Sequence, residues 1–215
     1  MLMKTIAHDI HMNAVEHGWW EEEMKLPEII ALVHSEWSEA LEEARAGRPM
    51  VWYACTEGDE HFPCAPADES ECLNFDDRFN CKWRSKKPEG VAVELIDGVI
   101  RILDFIGYLG AECIHPDTGF PADIEYIWGD DPALKPDEVP DDVPTLIAYL
   151  HAFTSEVIML ENFDDTSTDE IIAHLVTAAC FALVWVHKQG IDPLKLLLEK
   201  HEYNKTRPYK HGKKF

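Results

Sequence analysis

The stretch Val91-Ala-Val-Glu-Leu-Ile-Asp-Gly-Val-Ile-Arg-Ile-Leu-Asp-Phe105 decides how this chain is read. It is apolar almost all round, the pattern of a helix buried on every side. Yet Glu94, Asp97, Arg101 and Asp104 interrupt it at steps of three, four and three, which draws one charged stripe down a core helix. Buried carboxylates are costly unless paired or bound to a cation. Two readings stay open for Glu94 and Asp97: a pair salt-bridged to Arg101 or a lysine, or ligands of a metal.

A second acidic helix precedes it. In Ile29-Ile-Ala-Leu-Val-His-Ser-Glu-Trp-Ser-Glu-Ala-Leu-Glu-Glu43 the carboxylates Glu36 and Glu39 lie three apart and share a face. Alone, such a pair usually marks a solvated helix surface. Facing the first helix, it would complete an oxygen-rich pocket of four carboxylates. Hard ions such as Mg²⁺ or Mn²⁺ prefer oxygen ligands. A di-iron bundle site is disfavoured, because such sites use Glu-x-x-His and the third position here is Glu39 or Asp97.

Working outward, the remaining helical patterns run roughly over 3–17, 27–46, 89–110, 143–161, 168–189 and 192–203, and strand alternation is nearly absent. Pro27 suits a first helical turn, Gly47 a helix stop, and Asp192-Pro193 a capped start. The fold class expected is all-α, a helical bundle in one domain over 1–215. Residues 49–88 read as an irregular insertion, 115–144 as a Pro/Asp-rich connector, and 204–215 as a basic C-terminal tail.

The chain also echoes itself. Ala31 to Glu39 can be laid over Ala148 to Glu156, placing His34 on His151 and Glu36 on Phe153. Val91 to Gly110 can be laid over Ile171 to Gly190, placing Glu94 on His174 and Asp97 on Thr177. A degenerate tandem repeat of helix pairs is expected, with the metal acids kept in the first pair only.

Composition narrows the function. With 41 acidic and 19 basic residues in 215, the net charge is −22. That argues against general nucleic-acid or anionic-membrane binding and suits a protein that gathers divalent cations. No basic–apolar–small leader is visible at the N-terminus. The longest weakly polar run, Ile171 to Val186, falls short of the ~20 residues that span a bilayer. The expected setting is cytoplasmic, with reduced thiols. Cys55, Cys64, Cys72 and Cys81 lack any CxxC spacing, so Zn²⁺ on these four is a lesser alternative to free thiols.

These blocks together resemble a known family. Leu32 to Gly47 and Glu94 to Asp104 resemble the two acid motifs of the all-α nucleoside-triphosphate pyrophosphohydrolases, the MazG-like group related to dimeric dUTPases. Lys200-His-Glu-Tyr-Asn-Lys-Thr-Arg-Pro-Tyr-Lys-His-Gly-Lys-Lys214 is similar to that family's basic tail. The likeness covers 1–47, 89–110 and 190–214, a little under half the chain, and the 49–88 insertion departs from the compact family pattern. It implies Mg²⁺ held by Glu36, Glu39, Glu94 and Asp97, and hydrolysis of a nucleoside triphosphate to monophosphate and pyrophosphate. It implies also that Asn204, Lys205 and Arg207 meet the nucleotide. Trp19, Trp20, Trp37 and His34 lie near the first motif and could stack on or hydrogen-bond a base, with His34 and Trp20 taken as the candidates for base contact. A catalytically inactive acidic helical interaction protein is the alternative function. Both a single chain and a homodimer are compatible with the sequence.

Overall fold

The acid-bearing stretch is a helix, and four other helices pack on it. The computed structural model describes residues 3–57, 60–64, 84–110, 134–161 and 167–212. The described residues form six α-helices: α1 (Met3–Glu16), α2 (Leu26–Arg45), α3 (Val91–Leu109), α4 (Val143–Glu161), α5 (Thr168–Lys188) and α6 (Pro193–Lys205). The all-α bundle is therefore as the periodicity indicates. α1, α2, α5 and α6 all contact α3, and α4 closes the bundle against α2 and α5. Local chemistry sets the boundaries. Pro27 lies in the first turn of α2, and Gly47 follows its end at φ +66°. Ser167 and Glu170 form a reciprocal capping box on α5. The Asp192 carboxylate accepts from the Leu194 and Lys195 amides at the start of α6.

α3 is the inner helix because its sequence lets neighbours come close. A Cβ on Gly98 would lie 2.2 Å from the Trp37 ring of α2, and one on Gly107 would lie 2.4 Å from the Ala7 carbonyl of α1. Trp37 is completely buried there and donates its indole N–H to Thr154 of α4 at 3.1 Å.

The contacts between α2 and α4 bear on the internal repeat. Residues related by a twofold touch each other only at the axis. Here His34 stacks on His151, its counterpart, and Trp37 hydrogen-bonds Thr154, its counterpart. Away from this seam the two pairs use the same positions with changed chemistry. The Arg101–Glu36 ion pair of α3 and α2 becomes a Phe181–Phe153 ring contact in α5 and α4. The Glu39 and Glu94 carboxylates become a Glu156–His174 ion pair. This is the pattern that a pseudo-twofold between α2 and α4 produces.

The insertion differs from expectation. Rather than being irregular, its described residues form a three-stranded antiparallel sheet of β1 (Trp52–Glu57), β2 (Glu60–Cys64) and β3 (Arg84–Glu89) in the order β2-β1-β3. The strands are short, and Pro63 and Pro88 sit in edge strands, the place a sheet tolerates them. The register pairs Glu57 of β1 with Glu60 of β2. Trp52 and Tyr53 fix the sheet to the bundle: the Trp52 indole donates to Glu43 at 2.8 Å, and the Tyr53 hydroxyl donates to Glu199. Gly90 joins β3 to α3 at φ +113°, where any Cβ would meet the Pro49 and Met50 carbonyls at 2.6 Å. The side chains of Cys55 and Cys64, and residues Cys72 and Cys81 altogether, lie outside what is described, as does most of the 115–144 connector.

Two helices, Val143–Leu160 and Thr168–Lys188, are long and apolar enough to cross a bilayer by length and composition. The second exceeds the run measured in the sequence because its polar first turn is part of the helix, and two thirds of it is buried as bundle core. α4 is less covered and leaves Tyr149 and Met159 exposed.

Candidate functional site

α2 and α3 present their acids to each other. One carboxylate oxygen each from Glu36, Glu39 and Glu94 lies within 4.8 Å of the others. Glu36 and Glu94 are buried and Glu39 is exposed, so the cluster sits at the mouth of the α2–α3 seam. Burial pushes the Glu94 carboxyl up to about 8, and the charges of Asp97 and Glu36 push the same way against Lys200. Burial raises Glu36 too, partly offset by Arg101, whose Nε donates to Glu36 Oε1 at 3.1 Å. Two buried carboxyls reluctant to ionise, Glu36 and Glu94, together with the exposed Glu39 form an oxygen donor set that a hard divalent cation would satisfy.

Asp97 lines the same cavity but does not join the converging three. Its Oδ2 is held at 2.8 Å by Lys200 of α6, which is 1% exposed. So deeply buried an ammonium needs a carboxylate, and Asp97 supplies it.

These groups open into a cavity of about 170 Å³. Glu36, Glu39, Glu94, Asp97 and Asp104 line one side of its rim. Lys87, Arg101, Lys200 and Arg207 supply cations around it, and Trp19 adds an aromatic wall. Lys87 arrives from β3, so the insertion contributes to the site. Burial works against its ammonium, but Glu89 at 2.7 Å, with Glu94 and Asp97 beyond, holds its pKa above the ordinary lysine value.

The C-terminal segment comes back to the cavity. Beyond α6 it docks on the α1–α2 connection: His17 Nε2 reaches the Arg207 carbonyl at 2.9 Å, the Lys210 amide donates to the His17 carbonyl, and Lys210 Nζ pairs with Glu21 at 3.0 Å. This carries Arg207 to the cavity wall, beside Asn204 of α6.

Of the residues singled out in the sequence, Glu36, Glu39, Glu94, Asp97, Asn204 and Arg207 meet around one cavity, while three do not line it. Lys205 points away and pairs with Glu202 at 2.5 Å. On α6 it is Lys200, four residues before Asn204 and on the same helix face, and not Lys205 that lines the cavity. His34 is two residues, ~200° of helix, from Glu36 and so faces α4 instead. There its Nδ1 sits 2.6 Å from His151 Nδ1, and burial lowers both imidazoles. Trp20 stacks on Tyr108 at 4.3 Å and donates to Asp104 at 3.0 Å, leaving its neighbour Trp19 to face the cavity. His201, Asn13 and His17 also line it and carried no sequence signal of their own.

Comparison of the chain with protein-family models, curated proteins and solved structures finds no match.

Proposed function

We propose that this chain is a Mg²⁺-dependent nucleoside triphosphate pyrophosphohydrolase of the all-α, MazG-like kind, releasing a nucleoside monophosphate and pyrophosphate. The observation that carries the reading is the convergence of Glu36, Glu39 and Glu94 beside Lys87, Lys200 and Arg207 in one cavity. An acidic pocket alone repels a triphosphate, and a basic pocket alone would not gather a divalent cation; this cavity has both.

Glu36, Glu39 and Glu94 would hold the Mg²⁺ ion, with Mn²⁺ as an equivalent. When bound, the ion supplies Lewis-acid polarisation at phosphorus and charge neutralisation between phosphate oxygens. The chain's own residues do the rest. Arg101 braces Glu36 at 3.1 Å and fixes its orientation. Lys200 and Lys87 present ammonium charge where the phosphate chain would lie, and Arg207 offers a planar fork to phosphate oxygens. Glu39 is the exposed acid of the three, so it has access to water and can orient it for in-line attack at the α-phosphorus. Ser35 supports it, donating to Glu39 Oε1 at 3.2 Å.

The test is a panel of standard and modified nucleoside triphosphates with Mg²⁺, scored for the primary product. Pyrophosphate is expected with at least one of them. Orthophosphate as the primary product, or no turnover of any member, would overturn the reading.

A further inference from the structure

The docked C-terminal segment meets one histidine at two points. His17 directly follows the last residue of α1. Its Nδ1 lies 2.7 Å from the Asn13 carbonyl oxygen, and its Nε2 lies 2.9 Å from the Arg207 carbonyl oxygen. Its own carbonyl accepts from the Lys210 amide at 3.0 Å. Neighbouring groups tighten the same contact. Lys210 Nζ pairs with Glu21 at 3.0 Å, and the Tyr209 ring fills the space where a Cβ on Gly18 would lie. Lys210 holds φ +45°, a left-handed conformation that a lysine rarely adopts and that surrounding contacts must hold in place.

The two ring contacts fix a protonation state. A carbonyl oxygen only accepts hydrogen bonds, so each ring nitrogen that faces one must carry a hydrogen. A neutral imidazole has one N–H, and the imidazolium has two. Turning the ring over would put carbons, not nitrogens, at both carbonyls. Location favours the charged form as well. The last carbonyls of α1 form the negative pole of that helix, which attracts a cation. The net charge of −22 acts in the same direction.

What this ring holds is the backbone of Arg207. Arg207 stands two residues beyond α6, and it lines the cavity while its carbonyl is held by His17. With the carbonyl fixed, the guanidinium starts from a fixed point beside the place of the phosphate chain. Loss of one ring hydrogen would turn a nitrogen lone pair toward a carbonyl oxygen and replace an attraction with a repulsion.

We propose that His17, as an imidazolium, is the positioning residue that sets Arg207 in the cavity, so that capture of the phosphate chain weakens when this ring loses its second proton. The proposal rests on the nucleotide reading above and adds a residue that acts through Arg207. Other charged groups surround the ring. Asp104 and Arg101 of α3, His201 of α6 and Glu36 of α2 share the cavity wall with it, and Glu21 and Lys210 clamp the docked segment. A pH profile of the unmodified chain mixes all of these, so the ratio between chains with and without His17 isolates the ring.

Two measurements on the full chain test this. Nitrogen-15 NMR, assigned through the backbone, reads the hydrogens on each imidazole. His17 is expected to carry two at about pH 6; a neutral tautomer there would overturn the assignment, whatever the nucleotide does. Calorimetry with Mg²⁺ and α,β-imido triphosphates of the four standard ribonucleosides reads capture, using the analogue that binds most tightly. Where NMR shows the imidazolium, His17→Ala is expected to weaken binding about tenfold. Where NMR shows the neutral ring, and in an Arg207→Ala chain at every pH, the same change is expected to cost about twofold or less. His17→Gln, which keeps an N–H donor but no titrating charge, should give the same pH profile as His17→Ala. An effect of His17→Ala that is equal in both protonation states, or that persists in the Arg207→Ala chain, would overturn the positioning role and leave the nucleotide reading standing. Absence of binding by every analogue would overturn the nucleotide reading and this role with it.

Discussion

Glu94 and Asp97 lie one helical turn apart yet have opposite energetic standing. Glu94 is a buried carboxyl among like charges, so burial and its neighbours oppose its ionisation. Asp97 is the counterion of a buried lysine. Glu94→Gln should therefore stabilise the metal-free protein at pH 8 and abolish its response to Mg²⁺. Asp97→Ala should destabilise it by about 3–5 kcal/mol, because Lys200 is left charged and alone. Urea titration of both variants checks this; equal effects of the two would refute the distinction. The same asymmetry sets a pH dependence. The Glu94 pKa in the folded chain, about 8, lies above its ordinary 4.5. Its contribution to stability is thus fully present below 4.5 and is lost as the pH rises through about 8. Mg²⁺ favours the ionised form, so it should raise the melting temperature more at pH 8.5 than at pH 5. A shift of equal size at both pH values would remove Glu94 from the cation site.

At the scale of elements, the distance between α2 and α3 governs whether the acids converge. Gly98 sets that distance, since its missing Cβ is where the Trp37 ring lies. Trp37 cannot step aside easily: it is fully buried and tied to Thr154. Gly98→Ala gains about 1 kcal/mol of helix propensity. Overpacking should outweigh it, giving a net loss of about 1–3 kcal/mol. The wider seam should also weaken Mg²⁺ binding. Calorimetric titration of the variant with Mg²⁺ measures the second effect, and unchanged affinity would show that the acids do not depend on this spacing. The counterpart pair, α4 and α5, shows what the same architecture does when Glu156 alone of the clustered acids is kept. There Phe153 and Phe181 fill the place of Glu36 and Arg101, and the pair is apolar packing.

On the scale of the whole molecule, the site is assembled from five parts of the chain. α2 and α3 bring acids, β3 brings Lys87, α6 brings Lys200, His201 and Asn204, and the docked C-terminal segment brings Arg207. The last part is held by His17 and Glu21. A chain ending at Tyr203 loses Asn204 and Arg207 together with that clasp. Its helical circular dichroism should persist, since the core lies in α1–α5 and the earlier turns of α6. Its Michaelis constant for the triphosphate should rise about tenfold or more, with a lower kcat, because cations that meet phosphate also stabilise charge on the leaving group. Unchanged constants would remove the segment from the site.

The sequence by itself determined the six helices of the described residues, almost to the residue, and the charged stripe on α3. Those follow from local causes: apolar periodicity, caps such as Asp192, stops such as Gly47, and acids that a buried helix such as α3 would not carry without a partner. Only the tertiary structure decided which of two neighbours faces the cavity. One residue is ~100° of helix, so Lys200 rather than Lys205 and His34 turned toward α4 depend on how each helix is rotated by its packing, while Trp19 rather than Trp20 depends on the turn that follows α1. The same holds for Asp97, which local spacing groups with Glu94 but which Lys200, more than a hundred residues later, claims for itself. Lys87 is the plainest instance: it reaches the site because Trp52 and Tyr53 fasten a small sheet to the bundle, a long-range contact that local spacing does not encode.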